Sequence, residues 1–155
     1  MEHQTEHANR AQYLQFAVEV VLDFAAMYLV MYTMIATLSH FHFNLNNLYM
    51  TLMMVAPMAI IMLVSMRSMF PSQRINMIVG VGAVAVFLGS FAAVRTQAGV
   101  GNADFLRSMI PHHSGAILMC EQASITDPEI TALCQQIIVS QQKEIAQMEA
   151  ILRRY

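Results

Sequence analysis

Residues 109–113 read Met-Ile-Pro-His-His and lie within an amphipathic helical pattern in the C-terminal third of the chain. They place a thioether and two adjacent imidazoles on one predicted helix, where Pro111 loosens the backbone. A second amphipathic segment follows a predicted turn near residues 126–128. Two such helices joined by a short turn form a hairpin, so the C-terminal third is predicted to be all-α.

Local signals mark the ends of the two predicted helices. Asn102 is a candidate N-cap for the first helix, which is expected to run to about Ser124. The stretch Thr126-Asp127-Pro128-Glu129 combines a capping box with proline in the first turn. The second helix is therefore predicted from about Pro128 to Arg153.

The position of the turn sets the register of the hairpin. Folding about residue 126 or 127 brings His112 and His113 opposite Gln141 and Glu144, two polar residues in an otherwise apolar seam. Adjacent histidines point about 100° apart on a helix, so one is expected to face the partner helix and the other a neighbouring subunit. A lone hairpin buries too little surface to be stable, so we expect a homo-oligomer with a four-helix bundle, or docking on the membrane region.

The composition of the whole chain is that of a membrane protein. Of its 155 residues, 57% are hydrophobic and only 12% are charged, and the mean hydropathy is +0.49. Soluble domains usually carry about 25% charged residues. The net charge of −2, with no clustered basic face, gives no reason to expect nucleic-acid binding.

Three long apolar segments are expected to cross the lipid bilayer, at residues 13–38, 48–66 and 75–94. Together they form a membrane region over residues 13–95. The other predicted parts are a polar tail, a linker and the hairpin, at residues 1–12, 96–102 and 103–155. In the tail, His3 and His7 could share a helix face and bind metal, although a frayed terminus is the plainer interpretation.

The arginines predict the orientation in the membrane. Arg67 and Arg74 bracket the loop between the second and third segments, and the positive-inside rule makes that loop cytoplasmic. With three spans, the hairpin then lies on the opposite side. We expect a multi-pass protein of a bacterial inner (plasma) membrane with a periplasmic or extracellular C-terminal domain.

Methionines are unusually regular in the first two membrane segments. The second carries one at every fourth position, as Met50, Met54, Met58, Met62 and Met66. In the first, Asp23 is followed on a similar face by Met27, Met31 and Met34. Side chains four residues apart lie above one another on a helix, so both sets are candidates for a membrane metal path. The alternatives are ordinary packing for the methionines and a position at the membrane interface for the carboxylate.

The hairpin carries the candidate metal site. Its candidate ligands are Met109, His112, His113, Met119 and Met148. Gln141 and Glu144 are candidates for hydrogen bonds that orient the histidines. Thioethers favour Cu(I) and imidazole suits copper among other metals, so the set points to copper, with silver as a second soft ion. The alternative is a buried histidine hydrogen-bonded to Glu144 or Gln141, with the methionines as packing.

Cys120 and Cys134 lie on either side of the predicted turn and could meet. A disulfide, soft metal ligands and plain buried thiols all remain open, and unligated thiols are slightly favoured. Catalysis is not expected, because Ser114 beside His113 does not make a triad and no Glu-x-x-His pair of a di-iron bundle is present.

The C-terminal third also resembles a known family. The similarity rests on three groups of residues: Phe105 to Ala116 with Met119, Glu129-Ile130 with Leu133 and Ile137-Ile138, and Gln141 with Glu144-Ile145 and Met148. Over about residues 103–152 these look like the ferritin-like bundle domain of unknown function to which the CopM-type copper-binding proteins belong. The resemblance implies a helical fold and copper or silver binding in the periplasm through Met109, His112, His113, Met119 and Met148. This chain has one hairpin where a full bundle needs two.

Three functions are compatible with these observations. The leading hypothesis is a membrane-anchored protein that binds Cu(I) or Ag(I) for metal handling or tolerance, with an unidentified copper-trafficking partner. The second is a copper-permeable channel or transporter that uses the methionine ladder, since the membrane region is similar in outline to the Ctr-type copper transporters. The third is a metal-free oligomerisation module.

Overall fold

A computed structural model describes the backbone from Glu2 and the side chains from Arg10 to Tyr155, so the side chains of His3 and His7 fall outside the described residues. Within this range the chain is all-α, as predicted, with five helices and no strand. The helices are α1 (Glu2–Val30), α2 (Leu45–Ser65), α3 (Gln73–Thr96), α4 (Asn102–Gln122) and α5 (Pro128–Leu152), with a 3₁₀ turn at Leu38–His40.

The described helices form two compact units. The first contains α1, α2 and α3, and the second contains α4, α5 and the segment Val30–Asn47. By length and composition, three described segments can cross a membrane, at Arg10–Val30, Leu45–Ser65 and Gln73–Thr96. The prediction of three long apolar helices that could span a membrane is therefore confirmed.

In the first unit, aromatic and aliphatic side chains hold the three helices together. Phe16 and Phe70 are buried in one cluster with Leu63, and their rings meet edge to face at 5.4 Å. Tyr13 anchors the same end, where its hydroxyl lies 2.9 Å from Oδ1 of Asn76. Beyond this cluster the three helices line an apolar cavity of about 580 Å³.

The methionine ladder does not stay on one face of α2. The buried side of this helix is formed by Thr51, Val55, Ala56, Ala59 and Leu63. Met50 and Met54 are each 37% exposed, whereas Met62 and Met66 pack against the Phe16 cluster. A step of four residues advances about 40° beyond one helical turn, so the ladder drifts from the exposed face to the packed one.

The first membrane helix ends earlier than predicted. α1 stops at Val30 rather than Leu38, and just beyond this end the Thr33 hydroxyl donates to the Val30 carbonyl at 2.8 Å. Tyr32 then donates to the carbonyl of His42 at 2.7 Å, which fixes the fold of the following segment. Met27 remains on α1, whereas Met31 and Met34 lie beyond its end. The expectation that these three methionines follow Asp23 along one helix face was therefore wrong.

The second unit is built on the α4–α5 hairpin. Its core is a cluster of buried apolar side chains: Leu106, Ile110, Ile117, Ile145 and Met148. The start of α5 at Pro128 is confirmed, with Asp127 as N-cap accepting from the backbone of Glu129 at 2.8 Å. The N-cap of α4 is Gly101 and not Asn102, and the Asn102 side-chain amide donates to the Tyr155 hydroxyl at 3.0 Å.

The segment Val30–Asn47 packs on α4 through Ser114, which is fully buried. The backbone N–H of Ala36 donates to Oγ of Ser114 at 2.7 Å, and Nδ1 of His40 shares a hydrogen bond with the same oxygen at 2.8 Å. Gly115 permits the close approach, because a Cβ there would lie 3.3 Å from the carbonyl oxygen of Met34. Ser114 and Gly115 therefore form the surface of α4 that contacts this segment.

Replacing Ser114 by alanine is expected to destabilise the second unit by about 1–3 kcal/mol, because the Ala36 N–H is left without its acceptor. Hydrogen exchange of the α4 amides in the full chain measures the change. Ser108→Ala is the matched control, since the Ser108 hydroxyl bonds only to a carbonyl of its own helix, that of Asp104. Equal exchange in the two variants would contradict the proposed role of Ser114.

Candidate metal centre

His113 is the most deeply placed of the predicted ligands. Its side chain lies on the inner face of the hairpin, with the residue 8% exposed. Its Nδ1 is 2.9 Å from the carbonyl oxygen of Met109, one turn earlier on α4. Its Nε2 is 2.8 Å from Oε2 of Glu144 on α5. The predicted meeting of the histidine pair with Glu144 across the hairpin therefore occurs through His113.

Hydrogen bonds from Ser140 and His113 hold the Glu144 carboxylate. Ser140 donates to Oε1 of Glu144 at 2.8 Å, and this bond, followed by the bond from His113, lowers the pKa of the Glu144 carboxyl. A carbonyl oxygen can only accept, so Nδ1 of His113 donates to the Met109 carbonyl. Nε2 of His113 is the ring nitrogen that meets the Glu144 carboxyl.

Met109 and Met148 both contact the apolar core of the hairpin. Met148 is buried in the apolar cluster of the hairpin, and Met109 packs against the same cluster. Of the five predicted ligands, His113 and Met148 are therefore buried in the hairpin, and Met109 is half-buried against the same cluster as Met148. The fixed Nδ1–H of His113 is typical of metal-binding histidines, in which a carbonyl partner orients the ring so that Nε2 faces the metal. These donor atoms fit a soft ion once the hydrogen bond between Nε2 and Glu144 is broken.

The other predicted ligands lie elsewhere. The side chain of His112 is exposed, and its ring centroid is 6.1 Å from that of His113. Met119 is 60% exposed near the end of α4. Gln141 is half-buried on α5. Over residues 10–155, no three histidine, cysteine or acidic side chains come close enough together to hold a metal ion.

Cys120 and Cys134 form a disulfide that joins α4 to α5, with 5.2 Å between their Cα atoms. The slight preference for unligated thiols was therefore wrong. The separation of 14 residues spans a short turn, and helices packed in register bring the two cysteines face to face. The sequence pattern showed that the two could meet, but not that they would bond.

Sequence reasoning missed the role of the two histidines between α1 and α2. His40 contacts Ser114, as described above, and His42 is half-buried with its Nε2 shielded from solvent and without a hydrogen-bond partner among the described residues. Desolvation lowers the pKa of His42; the positive charges of Arg107 and His40 act in the same direction, and Glu149 opposes them. The only sequence signal was the alternation of His40, Phe41, His42 and Phe43 in a segment that looked like a plain turn.

The lowered pKa of His42 predicts a pH dependence of stability. Below its ordinary value of 6.5 the unfolded chain binds a proton that the folded chain does not. The free energy of unfolding is therefore expected to fall as the pH drops from 6.5 towards the folded-state pKa, and His42 contributes no pH dependence above that window. Exchange of the α4 amides between pH 5 and 7, corrected for intrinsic rates, measures the slope. His42→Gln should reduce it, and an unchanged slope would contradict the assignment.

Comparisons with known proteins identify a family domain in the C-terminal part of the chain. Residues 91–152 match a domain of unknown function (DUF305), so the predicted similarity of the hairpin to a domain of unknown function is confirmed, and the match extends into α3. The chain is 34% identical over 136 residues to the uncharacterized protein L153 of Acanthamoeba polyphaga mimivirus, covering 86% of this chain and 88% of that protein. No solved structure matches. On this evidence the chain belongs to the same family as the mimivirus protein and carries a DUF305 domain at residues 91–152.

Proposed function

We propose that the protein is a membrane-anchored carrier of Cu(I) or Ag(I), for metal handling or tolerance at the cell envelope. The observation that carries the proposal is that His113 and Met148 are buried in the hairpin and that Met109 packs against the same apolar cluster as Met148. Two thioethers and one imidazole are a ligand set that favours Cu(I). The Met109 carbonyl already orients the His113 ring, and binding requires that Nε2 exchange Glu144 for the metal.

We propose a different role for His112 and Met119, in the entry of the ion. Both are exposed, so they are available to a neighbouring hairpin in a homo-oligomer or to a copper-trafficking partner. In this proposal they serve the entry of the ion, whereas Met109, His113 and Met148 hold it.

The hairpin is proposed to lie on the non-cytoplasmic side of the membrane. Two observations support this side. Arg67 and Arg74 favour a cytoplasmic position for the loop between α2 and α3. The Cys120–Cys134 disulfide is a bond that persists in oxidising compartments. A bacterial plasma membrane remains the expected location.

Titration of the full-length protein in detergent tests the proposal. Cu(I), maintained by ascorbate, is competed against a chromophoric chelator, and affinity and stoichiometry are compared between variants. The triple variant Met109→Leu/His113→Gln/Met148→Leu keeps the side-chain volumes and is expected to bind at least about tenfold more weakly. Met77→Leu, a methionine that is 70% exposed on α3, is the control. Equal binding by the wild type and the triple variant would refute the proposed site.

Transport through the methionine ladder receives less support. The ladder turns from the exposed face of α2 into the apolar cluster at Met62 and Met66, so its thioethers do not follow a single path. Copper flux into proteoliposomes that is lost in Met54→Leu/Met58→Leu would nevertheless make transport the leading hypothesis. A protein that retains its assembly and binds no metal would favour the third function, a structural module.

A further inference from the structure

Four sulfur-bearing side chains line one surface pocket of about 510 Å³ at the turn end of the hairpin. They are Met34, Met119, Cys120 and Cys134. The other lining residues are aliphatic apart from one glutamine. The pocket lies entirely within the second unit, so a single folded unit assembles it. Met109, His113 and Met148 are not among its lining residues.

The fold brings these sulfurs together from three parts of the chain. Met34 arrives on the segment after α1, whose backbone lies against Gly115 of α4. Met119 and Cys120 occupy the last turn of α4, and Cys134 lies in the second turn of α5. The thioether-bearing side chains remain accessible, because Met34 is 49% exposed and Met119 is 60% exposed. Both cysteines are half-buried at the pocket wall.

The redox state of the cysteines decides what the pocket can bind. In the disulfide form it offers two thioethers, since a thiolate rather than a disulfide sulfur is the strong metal ligand. A dithiol reductant breaks the Cys120–Cys134 bond by thiol–disulfide exchange; two electrons and two protons pass to the pair, and the reductant becomes a disulfide. The pocket then contains two thiols beside two thioethers.

We propose that this pocket is a redox-gated Cu(I) site formed by Cys120, Cys134, Met34 and Met119. After reduction, Cu(I) displaces the two thiol protons and binds two thiolates, with thioethers completing an all-sulfur set. Thiolate and thioether ligands select Cu(I). The site does not include Met109, His113 or Met148, so it can exist whether or not those residues bind metal.

The experiment uses the full-length chain in detergent with the substitutions Met109→Leu/His113→Gln/Met148→Leu, which remove the ligands of the proposed function. Failure of the proposed function then does not affect the result. One sample is kept as the disulfide, with ascorbate to maintain Cu(I). The other is reduced with a phosphine and desalted under nitrogen. Retained copper is measured against a competing chelator, and X-ray absorption reports the atoms bound to it.

We expect the reduced sample to retain one more equivalent of Cu(I) than the oxidised sample, in sulfur-only coordination. Cys120→Ser/Cys134→Ser should abolish the gain. Met34→Leu/Met119→Leu should weaken it about tenfold or more, whereas the control Met69→Leu/Met77→Leu, two exposed methionines of the other unit, should not.

Three results would overturn the proposal. The first is equal copper retention by the reduced and oxidised samples. The second is a gain that does not respond to Met34→Leu/Met119→Leu, which would leave the cysteines as ordinary free thiols. The third is a gain accompanied by loss of the helical circular-dichroism signal, because an unfolded dithiol binds Cu(I) without any pocket.

Discussion

Ile110→Ala is expected to destabilise the α4–α5 hairpin by about 2–5 kcal/mol. Ile110 has no exposed surface and lies at the centre of the cluster with Leu106, Ile117, Ile145 and Met148. Truncation removes buried methyl and methylene groups and leaves a cavity that two helices in a short hairpin can close only in part. Native-state hydrogen exchange of the α4 and α5 amides measures this loss inside the full chain, independently of the membrane helices.

Ile130→Ala is the matched control for this substitution. Ile130 is the same residue type on α5, but it is 49% exposed and lies outside the buried cluster. Its replacement is expected to cost less than about 1 kcal/mol, as most surface changes do. If both variants lose the same protection, the hairpin has no packed centre at Ile110, and the placement of Met109 and His113 beside that centre loses its physical basis.

Loss of the Cys120–Cys134 disulfide is expected to destabilise the hairpin by about 3 kcal/mol. The bond closes a loop with a sequence separation of 14, and constraining a loop of about this length in the unfolded chain stabilises the folded one by that amount. Cys120→Ala/Cys134→Ala should speed the exchange of amides at the turn end of α4 and α5. The Ile110 level, two to three turns away, should be affected less.

Chemical reduction of the wild type provides the control for the double variant. Reduced wild type and double variant should show the same protection without metal, because both lack the cross-link. Protection that does not change on reduction would show that packing alone holds the turn end. Reduced wild type that is then loaded with Cu(I) should regain protection, since a ligand that binds only the folded state stabilises it.

Much of the candidate centre could be predicted from the hairpin register. The pairing of His113 with Glu144 follows from the turn at Asp127 and Pro128 and from a helical period that is the same in both helices. Whether His113 serves as a ligand or as a hydrogen-bonded core residue could not be predicted in this way. Its two nitrogens are engaged by Met109 and Glu144, and these contacts depend on side-chain positions that a residue pattern does not specify.

The packing of the segment Val30–Asn47 could not be predicted from the sequence. Its sequence predicted the end of a membrane span and a plain turn, but it packs on α4 instead. The contacts that hold it join residues far apart in the chain, such as Ala36 with Ser114 and His40 with Ser114. Neither helical periodicity nor hydropathy carries information about such pairs, so the position of Met34 near Cys120 could not be foreseen.

The amino-acid sequence by itself determined the three apolar helices, the hairpin and the start of α5, because hydropathy, helical period and capping are properties of neighbouring residues. Only the tertiary structure decided which sulfurs meet, how His113 is engaged and where the methionine ladder turns into the core. These features depend on packing between distant segments, where a shift of one helical turn would place different side chains in contact.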